Sequence, residues 1–502
     1  MGLVDGFVAL FSSWQAVLFT VIGTLVGLVG GAVPGLSSGA MISLLIPVTY
    51  YMGPLPALAM IYAVSKSSDF GGSIPAILFN TPGTPQASAT QIEGFPLTQQ
   101  GKQGKALRMA VVASAQGDVF SELLLIFGAS ILAVYAAKLG PPEFVGIYAC
   151  AFLIIGGLLG KSIITGLSSV VLGLLLSLVG TDPITAGERF TFGSFHLFDG
   201  IGLVPVLLGL FVLSEVFGKV GETDARAAEK AVAGTPKHPD DSRLTWSDYK
   251  RVFPTICRSQ IIGSGVGILP GLGSVVASFV AYSEARRRSK TPETWGKGEI
   301  EGIAAAEAAN NATSGSNLIP LLTLGIPGST AAALLSGVML IHGVEIGPRV
   351  FETSHDLVYG IFAAGLLCIA TYLVVGYWGA AFLGRLIARI PSRVVYPVIF
   401  LTCYVAVYST EQEVFDMVLM TVFGIAGYVM KQLGMSPAAF IIAFILGPGL
   451  ERALRQTFLL GDNGLLYFLE RPVALLFLAL GLVAVLLRLR PSKKLSGHPG
   501  RN

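Results

Sequence analysis

The sequence predicts an all-α polytopic membrane protein made of two inverted-topology repeats with discontinuous helices and re-entrant hairpins. Three observations carry that reading. Of 502 residues, 53% are hydrophobic and 13% charged, about half the roughly 25% charged share of soluble domains. Apolar stretches long enough to cross roughly 30 Å of hydrocarbon recur from end to end. Finally, one Gly/Pro-broken sentence occurs twice. Gly30-Gly-Ala-Val-Pro34-Gly35-Leu36-Ser37-Ser38-Gly39, followed by Asn80-Thr81-Pro82-Gly83-Thr84-Pro85, returns as Gly267-Ile-Leu-Pro270-Gly271-Leu272-Gly273-Ser274, followed by Gly325-Ile-Pro327-Gly328-Ser329-Thr330. Pro34 and Pro270 are 236 residues apart and Pro82 and Pro327 are 245, so both signals recur in order.

The apolar stretches run over Trp14 to Gly31, Val119 to Tyr135, Phe144 to Gly160, Ile163 to Gly180, Ile201 to Phe217, Leu357 to Leu383, Val394 to Val407, Val414 to Val429 and Val473 to Leu487. They imply roughly a dozen spanning or half-spanning helices. None shows the alternation of an outer-membrane barrel strand, which favours the helical inner-membrane class. The first stretch lacks a basic leader and a cleavage signal and is read as a retained span. A polar interval then divides the chain: 1–218 is the first membrane repeat, 219–251 a cytoplasmic linker, 252–456 the second repeat, 457–490 a C-terminal membrane segment and 491–502 a cytoplasmic tail.

Basic residues of short loops stay in the cytoplasm, so their distribution tests the relative orientation of the halves. Arg286, Arg287, Arg288 and Lys290 match the uncharged Tyr50 to Pro54; conversely Lys102, Lys105 and Arg108 match Gly347, Val350 and Thr353. The bias reverses between halves, as inversion requires. This puts the linker and tail inside, and the loops near Tyr50, Pro141, Asp182 and Gly343 to Phe351 outside. Arg452, Arg455 and Arg471 fit that assignment poorly.

Breaks inside hydrophobic segments, placed alike in two halves, point to a secondary transporter's binding site. A broken helix frees backbone donors and acceptors that lipid cannot satisfy, so it survives where protein or a watery cavity meets it. Free N–H groups at a half-helix N-terminus suit a carboxylate; unwound carbonyls and Ser, Thr or Asn oxygens suit Na⁺. The candidate substrate-binding residues are Pro34, Gly35, Ser37, Ser38, Lys66, Asn80, Thr81, Gly83, Thr84, Gly271, Gly273, Ser274, Pro327, Gly328, Ser329 and Thr330. Asn310, Asn311, Ser314 and Asn317 are candidate Na⁺ ligands, with Ser316 beside them. Gly23 and Gly27, at four-residue spacing, read instead as close helix packing. Lys66 and Asp69 lie in an apolar segment and are functional candidates by position; they form a local ion pair, or Lys66 faces a ligand carboxylate. Glu307 is an ion ligand or proton site, with a capping or solvated role as the alternative.

Other chemistries find little support. Gly35-Leu-Ser37-Ser-Gly39 matches a nucleophile-elbow pattern, but the repeat has Gly273 where Ser37 stands and no strand-turn-helix surrounds it. Gly263-Ser-Gly265-Val-Gly267 lacks the strand and Lys of a phosphate loop. The four cysteines have no C-x-x-C spacing and the five histidines no metal spacing. No cofactor is expected beyond a possible coupling Na⁺. A net charge of +3 gives no reason to expect nucleic acid.

The quoted segments, with Glu301-Gly302 to Glu307, Asn310-Asn311, Gly94-Phe95-Pro96 and Gly180 to Phe192, resemble the large membrane subunit of tripartite tricarboxylate transporters, the TctA family, from about Gly23 to Arg455. The family's Pro-Gly-Leu and Asn-x-Pro-Gly signatures fall on Pro34 to Leu36, Pro270 to Leu272 and Asn80 to Gly83. The resemblance implies a cation-coupled secondary uptake system of the bacterial inner membrane, with a small four-helix membrane subunit and a periplasmic solute-binding protein that delivers a carboxylate. It departs at Ser65-Lys66-Ser67-Ser68-Asp69, more polar than the family's stretch there, which leaves room for a carboxylate other than citrate. The expected role is a permease and not an enzyme; an ion channel or intramembrane enzyme is the alternative.

Overall fold

The computed structural model describes residues 2–33, 36–182, 185–219, 243–387, 392–460 and 466–489. Residues 220–242 of the polar linker and the whole tail therefore lie outside the described residues, as do Pro34 and Gly35.

The first half runs α1 (Gly2–Ser12), α2 (Trp14–Gly31), α3 (Ser38–Thr49), α4 (Pro54–Gly71), α5 (Ser73–Phe79), α6 (Ala87–Gln99), α7 (Gln103–Ala136), α8 (Pro141–Leu159), α9 (Ile163–Leu176), a two-residue hairpin pairing β1 (Gly180–Thr181) with β2 (Glu188–Arg189), α10 (Leu203–Leu207) and α11 (Ser214–Lys219). A π-helical stretch at Leu208–Leu213 joins the last two. The second half runs α12 (Trp246–Ile268), α13 (Gly273–Arg288), α14 (Ile300–Ser316), α15 (Leu318–Leu324), α16 (Thr330–Ile341), α17 (Val350–Thr353), α18 (His355–Ile387), α19 (Ser392–Glu411), α20 (Val414–Gln432) and α21 (Pro437–Leu460), followed by α22 (Leu466–Leu469) and α23 (Pro472–Leu489).

Among the described residues six helices, α2, α7, α8, α18, α20 and α21, are each long and apolar enough to cross a membrane. Their outward faces carry large apolar side chains such as Phe127, Ile131, Trp378, Phe382, Val418 and Val422, whereas Lys66, Asp118, Glu122 and Glu307 are fully buried. Apolar outside with charge inside is the arrangement a bilayer selects, because lipid solvates the first and rejects the second. The chain is a multi-pass membrane protein.

The doubled sentence becomes doubled structure. In the first half α2 lies along α4 with Gly27 against Val64; in the second, α12 lies along α14 with Gly263 against Ala309. These pairs match at the 236 and 245 offsets. Side-chain carbons at Gly27 and Gly263 would come within 2.6 and 2.3 Å of the facing carbonyl oxygens, so glycine sets the close approach. The long helices then cross over, α7 packing on α14 and α18 on α4. Each half completes the other.

The helices sort into two bodies, and the sorting does not follow the repeats. One holds α1, α2, α4–α7, α12–α15 and α18; the other holds α8–α11, α19–α21 and α23, with α3 and α16 seated between them. Three loops of the first body meet at one end, where Lys105 pairs with Asp248 at 2.7 Å, Gln100 donates to the Lys297 carbonyl at 2.7 Å, and Arg251 meets Glu299 at 2.9 Å. These belong to the segments that the charge count assigns to the cytoplasm. Two of the basic residues that fit the assignment poorly have acidic partners: Arg455 bonds Asp182 at 2.5 Å and Glu451 at 2.6 Å, and Arg471 lies 3.9 Å from Glu143. Pairing offsets their positive charge locally.

Candidate functional site

Proline places the breaks. Pro75 and Pro320 lack an N–H, and their rings displace the carbonyls four residues before, which interrupts α4–α5 at Gly72 and α14–α15 at Asn317. The carbonyls at those interruptions receive new donors: Gly83 N–H donates to Gly72 O at 3.0 Å, and Gly328 N–H to Asn317 O at 3.3 Å. Both short helices then end on a left-handed residue, Asn80 (φ 57°) and Gly325 (φ 76°). In each, the next N–H returns to the proline carbonyl, Thr81 to Pro75 at 3.4 Å and Ile326 to Pro320 at 3.1 Å, the closure of a Schellman cap.

The two kinds of break meet. Gly271 N–H donates to Gly328 O at 3.3 Å, joining the α12–α13 turn to the α15–α16 turn. In the first half Gly83 closes on the Gly31 carbonyl, as Gly328 does on that of Gly267. Across the halves, the Thr330 methyl sits so near Gly39 that a side-chain carbon there would lie 3.4 Å away. The N-termini of α3 and α16, capped by Ser37 and Ser329, thereby come together.

Beside the breaks lies a buried ionic cluster. The Lys66 ammonium donates to Asp118 Oδ1 at 2.7 Å, Glu122 Oε2 at 2.8 Å and the Tyr62 hydroxyl at 3.3 Å. Tyr62 donates to Glu122 at 2.6 Å and Tyr372 to Asp118 at 2.9 Å. Glu307 of α14 accepts the hydroxyls of Ser73 (α5) and Thr90 (α6), and that of Ser114 (α7) at 2.7 Å. Asp69 accepts from Gln86 Nε2 at 2.6 Å. The cluster holds one ammonium and four carboxylates, two of them in contact with it, and all are at most 9% exposed.

This corrects two expectations. Lys66 does not form the local pair with Asp69, because its three donors are engaged by α7 and Tyr62. Glu307 is neither solvated nor a cap; three hydroxyls from the other half enclose it.

The remaining candidates divide by position. Ser38 accepts from the Ser68 hydroxyl at 3.0 Å, and Thr84 is buried against Gly72 with its hydroxyl unpartnered. Asn80 and Thr81 are exposed, with Asn80 held by Gln91 at 2.8 Å as a helix cap. Gly271, Gly273 and Ser274 open α13, and Pro327 is buried in its turn. Asn310 and Asn311 are buried, each with an unpartnered Oδ1. Ser314 and Asn317 line a cavity of about 10 Å³ with Tyr62, Ser65, Ala331 and Leu335, room for about one water-sized species. Ser316 turns back to the Ala312 carbonyl at 2.8 Å.

Sequence reading overlooked Asp118, Glu122, Tyr62 and Tyr372. A usable signal existed for the carboxylates: two acids four residues apart, on one face of the α7 apolar run, are costly unless partnered.

The comparisons with known proteins agree with one another. An uncharacterized 52.8 kDa protein in the TAR-I ttuC' 3' region of Agrobacterium vitis is 35% identical over 482 residues, covering 95% of this chain and 93% of the relative. An uncharacterized protein in the TAR-II ttuC' 3' region of the same organism is 39% identical over 235 residues, 46% of this chain and 95% of that relative. No solved structure matches. Residues 17–442 match the tripartite tricarboxylate transporter TctA family, and with the full-length relative this establishes that the chain belongs to that family of membrane transporter subunits.

Proposed function

We propose that the protein is the large permease subunit of a binding-protein-dependent, cation-coupled secondary transporter that takes up a carboxylate across the bacterial inner membrane. The observation that carries this reading is the convergence of the α3 and α16 N-termini, one from each half, beside a buried cluster of four carboxyl groups and one ammonium. Helix N-termini present free N–H donors and a positive dipole end to an anion. Ser37, Ser38, Ser329 and Thr330 at those termini, with Gly273 and Ser274 at the opening of α13, supply that surface, while Gly83, Gly271 and Gly328 spend their N–H groups on the breaks and shape it. The carboxylate cluster favours a cation alongside, so substrate and cation enter together and lower each other's desolvation cost.

The two halves act as inverted repeats. A small four-helix membrane subunit and a periplasmic solute-binding protein complete the system, and the binding protein delivers the acid to the outer face. Movement of the body holding the ionic cluster against the other then exposes the site alternately. The test is reconstitution with the small subunit and binding protein encoded beside it. Uptake of radiolabelled di- and tricarboxylates should follow an imposed Na⁺ or H⁺ gradient; indifference to both would reject secondary transport.

A further inference from the structure

Asp69 stands apart from the other buried acids. Asp118 and Glu122 share Lys66, and Glu307 is enclosed by three hydroxyls, whereas the only hydrogen bond Asp69's carboxylate receives among the described residues is from Gln86, on Oδ1. Of the four it alone retains exposure, 9% against 0% for the others.

Around it stand oxygens with nothing to accept from. Asn310 Nδ2 reaches the Asp69 carbonyl at 3.5 Å, which fixes Asn310 beside Asp69, and its Oδ1 is buried without a partner. Asn311 spends its amide N–H on the Glu307 carbonyl at 3.2 Å and likewise leaves Oδ1 unpartnered. Thr84 Oγ1, two residues from Gln86, presses on Gly72, one turn beyond Asp69 on α4, and is also unpartnered. A buried polar atom without a partner costs free energy, and three such atoms, on residues held to the Asp69 backbone, to Glu307 and to Gly72, supply a donor set for its under-satisfied carboxylate. Every member is oxygen and only one carries charge, which suits a hard monovalent cation. A proton would need one acceptor and leave the three neutral oxygens bare.

We infer that Asp69, Thr84, Asn310 and Asn311 form the seat of the coupling cation, a dehydrated monovalent ion of Na⁺ type. The inference rests on the proposed cation coupling and assigns residues to it. It also divides the candidate ligands: Asn310 and Asn311 serve this seat, and Ser314 and Asn317 the neighbouring small cavity. Asn310 and Asn311 come from the second half and Asp69 and Thr84 from the first, so binding fastens the halves together.

The test uses the purified full chain in lipid nanodiscs, radioactive Na⁺, and choline to hold ionic strength. Wild type should bind Na⁺ saturably. Asp69→Asn should weaken binding by about tenfold or more, since a charged contact is lost; Asp69→Glu should retain part of it, and Thr84→Val and Asn310→Ala should each weaken it by roughly threefold to tenfold. Monodisperse elution of each variant separates lost binding from lost fold. Wild-type affinity in both Asp69→Asn and Asn310→Ala overturns the seat, as does wild type that binds no Na⁺. Uptake in proteoliposomes is scored separately: uptake driven by a pH gradient alone leaves the transporter reading standing and removes the Na⁺ seat, whereas uptake indifferent to both gradients removes the transporter reading itself.

Discussion

At the scale of single residues, Lys66 shows how burial dictates partnership. An ammonium at 0% exposure is tolerated only with opposite charge and filled donors. Lys66→Met should therefore cost about 3–5 kcal/mol, because it strands Asp118 and Glu122. Adding Asp118→Asn and Glu122→Gln should recover much of that loss, and the unfolding midpoint in detergent reads both. The sequence marked Lys66, Asp69 and Glu307 as unusual, since ionisable groups in apolar runs stand out one at a time. It did not reveal their partners, which lie 17 residues away for Asp69 and about 50 to 230 away for the carboxylates of Lys66 and the hydroxyls of Glu307.

At the scale of elements, breaks and clasps define the working parts. Gly325 and Asn80 occupy the same left-handed cap in the two halves, and glycine adopts that conformation without cost. Asn80→Gly should leave stability within about 0.5 kcal/mol, whereas Gly325→Val should lower it by about 1–2 kcal/mol. Thermal unfolding of both variants checks the contrast. A second element-level device is Glu93 of α6, fully buried, which accepts from Tyr282 at 2.7 Å and from the N–H groups of Gly296, Gly298 and Glu299 at 2.5, 2.9 and 2.8 Å. It clasps the α13–α14 loop to the first half. Glu93→Ala strands those donors and should cost about 3 kcal/mol, with faster amide hydrogen exchange over residues 289–299. The prolines and glycines of the breaks were visible in sequence because each alters the backbone locally. The clasp was not, since the groups that Glu93 accepts from lie about 200 residues away in the chain.

At the scale of the whole molecule, the division into two packed bodies runs across the repeats. Ser38 on α3 and Ser68 on α4 meet at 3.0 Å where the two bodies adjoin. If alternating access moves one body against the other, Ser38→Cys with Ser68→Cys should form a disulfide under mild oxidation, stop uptake, and regain it on reduction. Free uptake in the oxidised form would show that this boundary stays fixed during transport. The sequence expressed the repeat as a linear doubling; the exchange of α7 and α18 between halves, and hence the two bodies, has no linear signature.

What the sequence determined by itself was the helical membrane class, the duplicated breaks and their spacing. Hydrophobic run length, missing proline N–H groups and glycine's conformational freedom act within a few residues, so they can be read along the chain. Only the tertiary structure decided which acid meets which base, why Asn80 is a cap, and which buried oxygens are left without a partner. Those outcomes depend on Coulomb and hydrogen-bond contacts between helices distant in sequence, and such contacts exist only once the helices have packed.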